Sequence, residues 1–179
     1  MILFTADWHI KLGQKNVPMA WACSRYKLFF EQIHQLEKDV SLHIIGGDLF
    51  DRVPSMDEIT LYFDFVKDVK VRTIIYDGNH EATKKHKTFF SNLKRATSDV
   101  NPLVEIIDET TEFDFGTILP YVNLHKKGGI ESCNINKPLY THVRGEIPPH
   151  VTPEVDLERF KDFPVVYAGD LHSHSNTQR

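Results

Sequence analysis

A chain of 179 residues with 41% hydrophobic composition has enough material for one domain with a real core. Its formal charge of −4, from 21 basic and 25 acidic residues, excludes the overall basic field that announces a nucleic-acid or membrane partner, although a metal-centred phosphate site brings its own positive charge. Two cysteines without CxxC spacing exclude a disulfide scaffold, and no apolar run approaches the ~20 residues that span a bilayer.

The N-terminus "MILFTADWHI" has no basic leader, long apolar region or cleavage site, so the chain is expected to stay in a reducing cytoplasm, neither exported nor inserted. Met1 to Ala6 is apolar and stops at Asp7, which predicts a buried strand ending in "DWH". From Ala22, the apolar positions Tyr26, Phe29, Phe30, Ile33 and Leu36 recur at helical spacing. Leu42 to Ile45 is the next strand, ending in "GGDLFDR". Ser55 and Glu58 form a capping box that starts a second helix, with Ile59, Phe63, Val66 and Val69 as its buried stripe. Val71 to Tyr76 follows as a strand ending in "DGNHE", and Lys84 to Arg95 reads as a third helix carrying Phe89, Phe90 and Leu93.

After Pro102 the pattern turns to strands: Leu103 to Ile107, then Glu112 to Leu119 with alternation at Phe113 and Phe115. Asn123 to Asn136 reads as loop with room for a helical turn, Leu139 to Val143 as a strand carrying His142, and Gly145 to Pro153 as a connector. Pro164 to Ala168 is a last short strand, ending in "GDLHSH". Alternating β and α in the first half, then consecutive strands, give an α/β layered domain with a mixed sheet. Polar groups just past strand C-termini stand where such sheets place their ligands.

In order, those groups are Asp7 and His9, Asp48, Asn79 and His80, His142, and Asp170 with His172. Carboxylates, imidazoles and one amide oxygen, with no thiolate, suit Mn²⁺ or Fe²⁺, or borderline Zn²⁺, and are enough for two ions. Asp48, following two glycines, is the natural bridge, and Asn79 adds a ligand without adding charge. Taken singly, Asp48 is an ordinary turn or cap residue, "GNH" a tight turn and His142 a core or surface histidine. Their joint occurrence, in order and at successive strand ends, points to a site.

The stretches "ADWH", "GGDLFD", "DGNHE", "YTH" and "AGDLH" resemble, in order, the five motifs of the calcineurin-like metallophosphoesterases: DxH, GDxxD, GNH[DE], H and GHxH. Within that superfamily the chain is similar to SbcD-type nuclease subunits, the bacterial counterparts of the eukaryotic double-strand-break repair nuclease. Its small size and the Asp in the last motif resemble the versions encoded by tailed bacteriophages. The resemblance implies an αββα sandwich with mixed sheets and a metal site at the strand C-termini. It implies that Asp7, His9, Asp48 and His172 bind one divalent ion, that Asp48, Asn79, His142 and Asp170 bind another, and that His80 acts on the scissile phosphate. Asp51 would orient a ligand or its loop.

Asp170 stands where the family usually has a histidine, and as a hard oxygen ligand would shift the site towards Mn²⁺ or Mg²⁺. A second alignment pairs His172 with His174, one strand period apart, with Asp170 beneath; in the first, His174 supports a ligand or faces DNA. Lys84, Lys85 and Lys87 read either as a DNA backbone contact or as a solvated helix start. His34, His43, His86, His125 and His150 match no motif and read as structural or exposed. The implied partners are DNA, an SbcC-like coiled-coil ATPase and a second copy of the chain, with no membrane. Residues 1–179 would be the nuclease domain, without the family's last strands and C-terminal capping domain.

The implied reaction is phosphodiester hydrolysis by a metal-activated water. A Ser/Thr phosphatase of the same superfamily is the nearest rival, and its motifs carry two arginines. Arg52 fits the first of them, while Asp77 replaces the second and would repel a phosphate dianion. A small-nucleotide phosphodiesterase and a non-catalytic scaffold are the further alternatives.

Overall fold

In the computed structural model, which describes residues 1–84, 87–146 and 152–171, β1 (Ile2–Thr5) leads through α1 (Met19–Glu37) to β2 (Leu42–Gly46), and α2 (Met56–Asp68) leads to β3 (Arg72–Tyr76). A two-stranded ribbon, β4 (Ala82–Lys84) and β5 (Lys87–Thr88), precedes α3 (Phe90–Val100) and β6 (Val104–Ile107). The second half runs β7 (Thr111–Phe113), β8 (Gly116–Leu119), α4 (Tyr121–Leu124), β9 (Leu139–His142), a 3₁₀ turn at Leu157–Phe160 and β10 (Val166–Gly169).

The first sheet has the order β1-β2-β3-β6 and is parallel throughout. Each crossover passes through a helix and steps the same way along the sheet, so right-handed connections put α1, α2 and α3 on one face. Period-two burial follows. Ile45, Ile75 and Ile106 pack with Phe30, Phe65 and Phe90 of the helices, while Ile44, Ile74 and Ile107 face the opposite way. With both faces covered, β2 is buried along its whole length and β3 from Thr73 onward, with His43 and Thr73 among the apolar residues.

The opposite face is covered by a second sheet, β10-β9-β8-β7, parallel except for β7. Ile118 and Tyr140 fill the space between the sheets beside Leu42, Ile44, Ile74 and Tyr76, and Tyr76 Oη donates to the Thr141 carbonyl across it at 2.9 Å. The outer face, with Leu119 and Leu139, lies under Leu124, Ile130, Val155 and Phe160. The result is the expected αββα layering, with one thick helical layer and one thin layer of short turns. Among the described residues no helix is long and apolar enough to cross a membrane.

Three readings need correction. The third helix begins at Phe90, not Lys84, and Ala82–Lys84 pairs with Lys87–Thr88 as a ribbon. There Thr88 Oγ1 accepts from the Phe90 N–H at 3.1 Å, offering the backbone a local alternative to a helical turn. The predicted strand from Glu112 to Leu119 reverses at Asp114 and Phe115, bringing the Phe113 and Phe115 rings into a stack 5.0 Å apart between the sheets. Leu36, assigned to the buried stripe of α1, is 54% exposed, and the side chain buried there is Glu37.

Glu37 anchors a polar network below the sheet. Its carboxylate accepts from His43 Nδ1 at 2.8 Å and His34 Nδ1 at 2.7 Å, and His43 reaches the Thr5 hydroxyl, which also receives Trp8 Nε1–H at 3.1 Å. Burial pushes the Glu37 carboxyl up, but these histidine hydrogen bonds outweigh it and hold it below its ordinary value of 4.5. A depressed carboxyl contributes stability that is present above 4.5 and lost as pH falls through the lower folded-state value. Urea midpoints measured from neutral pH down to about pH 3 are therefore expected to fall more steeply in the wild type than in Glu37→Gln.

Candidate metal centre

Among the described residues five non-glycine positions have left-handed backbones, and four of them, Asp7 (φ 58°), His9 (φ 46°), Asp48 (φ 51°) and Asp170 (φ 57°), sit just past β1, β2 and β10. Each such residue costs on the order of 1–3 kcal/mol, and strain of this kind gathers at functional sites. The loops after β1 and β2 hold one another: Asp7 N–H donates to Gly47 O at 3.1 Å, His9 N–H to Asp48 O at 2.9 Å and Ile10 N–H to Leu49 O at 2.8 Å. Glycine is required where these loops meet their neighbours. A Cβ on Gly47 would run into His142 Nδ1, and one on Gly78 into Asp48 Oδ1.

Asp48, 2% exposed, is the centre of the arrangement. Its Oδ2 lies 3.4 Å from His142 Nε2, 3.7 Å from His80 Nε2 and 3.9 Å from His9 Nε2, while Oδ1 accepts the His80 backbone N–H at 3.0 Å. Two triads result, Asp7–Asp48–His142 and His9–Asp48–His80, each with ligand atoms within 4.8 Å of one another. Asn79 Oδ1 is 3.1 Å from His142 Nε2. His142 Nδ1 donates to Gly46 O at 2.8 Å and His80 Nδ1 to Asp51 O at 2.5 Å. Carbonyl oxygens only accept, so each Nδ1 carries a proton and each Nε2 is aimed at Asp48.

The electrostatics couple these groups through Asp48. Burial pushes the Asp48 carboxyl up, but the hydrogen bond and charge of His142, then those of His80, hold it below its ordinary range. Burial disfavours charge on His142 too, yet Asp48 lifts that imidazole to about 9. Asp7 is raised, chiefly by burial. His9 Nδ1 is buried without a hydrogen-bond partner among the described residues. An all-nitrogen-and-oxygen donor set around a shared carboxylate fits hard or borderline divalent ions.

Asp7, His9, Asp48, Asn79, His80 and His142 are thus brought together by the fold. The geometry groups Asp7 with His142 and His9 with His80, since buried Trp8 separates the two outward-turned residues. Asp170 joins through its backbone, its N–H lying 3.2 Å from Asp7 Oδ1, while its carboxylate accepts from Arg144 Nε at 3.1 Å. Asp170 belongs to neither triad. Asp51 pairs with Lys11 at 2.5 Å and receives His80 through its carbonyl. Lys84 and Lys87 are exposed on the ribbon, so the solvated helix start is replaced by strand. His172, His174, Lys85, His86 and His150 lie outside the described residues, and with them the choice between the two last-motif pairings.

Glu81 was given no role by its sequence, beyond closing "GNHE", and is completely buried. Its carboxylate accepts the N–H groups of Asp48 at 2.9 Å, Gly78 at 2.8 Å and Phe50 at 2.9 Å, stapling the loops after β2 and β3 together. Burial pushes its carboxyl up to about 8. Arg144 also escaped notice, and nothing in its spacing distinguishes it. Arg52, the residue offered to a phosphatase reading, is committed elsewhere: its Nη1 donates to both oxygens of Glu58 at 3.0 and 2.8 Å. Asp77 is buried and accepts the Val122 N–H at 3.0 Å, so it faces the start of α4 and repels no substrate.

The family model described as calcineurin-like phosphoesterase matches residues 1–174. The chain is 38% identical over 184 aligned positions to "Probable exonuclease subunit 1" of Escherichia phage T5. That alignment covers 99% of this chain and 55% of the phage protein, so the chain spans about half the length of that curated relative.

Proposed function

This chain belongs to the calcineurin-like phosphoesterase family, whose members use divalent metals, and on that premise we propose that it is a metal-dependent DNA nuclease, the nuclease subunit of an SbcCD-like recombination exonuclease. In this reading residues 1–179 are its nuclease domain, its partners are DNA, a coiled-coil ATPase and a second copy, and it works in the cytoplasm of a bacterial host. The observation that carries the proposal is the Asp48 carboxylate shared by two triads at the strand ends. A relative whose name contains "exonuclease subunit" supports the nuclease and a partner subunit.

Asp7, His9, Asp48, Asn79, His142, Asp170 and His172 would hold two ions, Mn²⁺ or Mg²⁺. Ions bound there would supply Lewis acidity that neutralises phosphate charge and acidifies a water. Asp48, held ionised by His142 and His80, keeps a negative charge between the two groups. His80 is fixed by its Nδ1–H bond to Asp51 O, and in its doubly protonated form it would hand the Nε2 proton to the departing oxygen and be left neutral with Nδ1–H. With Arg52 tied to Glu58, that arginine is not free to grip a terminal phosphate, which favours a diester. Contacts to phosphates position DNA without reading its sequence.

The test is degradation of linear double-stranded DNA in Mn²⁺, with and without a coiled-coil ATPase, using EDTA as control. His80→Ala is expected to cut ~10²–10⁴-fold more slowly, as loss of a general acid does, while binding the same number of ions. Intact DNA alongside hydrolysis of a phosphoprotein or a cyclic nucleotide would overturn the substrate assignment. No binding of Mn²⁺ in a calorimeter would favour a scaffold that has lost its chemistry.

A further inference from the structure

Beside the metal centre lies a groove that shares Ala6, Asp7 and Trp8 of the first motif and is otherwise lined by residues outside the five motifs. It has a volume of about 490 Å³ and runs between the segment after β1 and the first turns of α1, within the ~300–1,000 Å³ typical of ligand sites. Asp7, Trp8, Phe29 and Ile33 are among its lining residues, together with Lys11, Trp21 and Arg25. Trp21 is 53% exposed, and the Arg25 guanidinium lies 4.9 Å from the centre of its ring.

The charge of this segment opposes that of the chain. Residues 8–30 contain Lys11, Lys15, Arg25 and Lys27 and not one Asp or Glu, in a protein of formal charge −4. Lys11 is partly neutralised by Asp51; no acid within the segment balances the others. An exposed indole, a stacked guanidinium and a basic rim beside an apolar channel are the parts with which proteins hold single-stranded nucleic acid. A polypeptide or lipid chain would use the apolar walls but not this local positive field.

We infer that this groove takes an unstacked nucleobase of the DNA strand next to the scissile phosphate, Trp21 stacking on the base and Arg25 meeting the backbone. The inference rests on the nuclease reading and narrows its substrate to ends that are single-stranded or frayed. Unstacking one base at a terminus costs little beside the several kcal/mol needed within a duplex, so the groove selects ends over interiors.

Binding measured in EDTA separates the groove from the chemistry. Anisotropy of a labelled oligothymidylate on the full chain should show Trp21→Ala weakening binding roughly 5- to 100-fold, as loss of one stacking partner does. Trp21→Phe should recover most of it, Arg25→Ala should weaken binding and flatten its salt dependence, and Leu28→Ala, exposed on the same helix outside the groove, should bind as wild type. The wild type should bind an abasic oligonucleotide as poorly as Trp21→Ala binds oligothymidylate. Equal affinity of wild type and Trp21→Ala, or of base-bearing and abasic strands, overturns the inference. Base-dependent binding by a protein that fails to cut DNA in Mn²⁺ leaves the groove standing and removes the nuclease.

Discussion

Asp48→Asn is expected to abolish metal-dependent phosphodiester hydrolysis, by about 10⁴-fold or more. Asn has the size of Asp and tolerates a left-handed backbone, so the loop at φ 51° should keep its shape and circular dichroism should not change. What disappears is the negative charge that both triads share. Lewis-acid stabilisation is worth several kcal/mol, and two ions losing their common carboxylate together forfeit roughly 6 kcal/mol, or ~10⁴-fold at 1.36 kcal/mol per decade. Calorimetric titration with Mn²⁺ should show both sites weakened by one substitution, where Asp7→Asn or His9→Gln should weaken chiefly one. Two sites of wild-type affinity in Asp48→Asn would mean that the carboxylate bridges nothing.

Glu81→Gln is expected to damage stability and activity together, without touching substrate. Three buried N–H groups converge on the carboxylate. Glutamine brings one oxygen and one NH₂, so in either orientation a donor faces a donor, and the difference from wild type is full only above about pH 8, where the Glu81 carboxyl is ionised and carries no donor of its own. An unsatisfied buried donor costs about 1–3 kcal/mol. A loss near 3 kcal/mol should lower the melting temperature of a chain this size by ~6–12 °C, and Asp48 and Gly78 lose the staple that sets their spacing. Scanning calorimetry checks the first effect and hydrolysis of a small diester below the new midpoint checks the second. A stable variant with unchanged turnover would reduce Glu81 to filler.

Most strands and two of the three long helices were legible because burial imposes periodicity. The Ser55–Glu58 capping box marks the start of α2 correctly, with Ser55 N–H on Glu58 at 2.7 Å and Glu58 N–H on Ser55 at 3.3 Å. Where the sequence misled, a local rule lost to a neighbour: Thr88 and its ribbon displaced a helix start, and two phenylalanines seeking the same inter-sheet space folded one apparent strand into a hairpin. At the centre, residues with chemistry at strand ends were readable as a set. Glu81 and Arg52 were harder, since an acid that binds backbone and an arginine that binds an acid look in sequence like groups meant for a ligand. Partners are fixed by the fold, and only distances reveal them.

The amide of Asp170 closes on the carboxylate of Asp7 across 163 positions of chain, and His142 reaches Gly46 across 96. Contacts so remote reward the chain only after long loops have closed, so they form late on the path to the native state. Chain growth adds a stricter order, because β10 must be synthesised before it can dock beside β9. During its own translation the polypeptide therefore holds the parts of the candidate metal centre without the centre, and the strand ends that carry those parts meet only once β10 has docked.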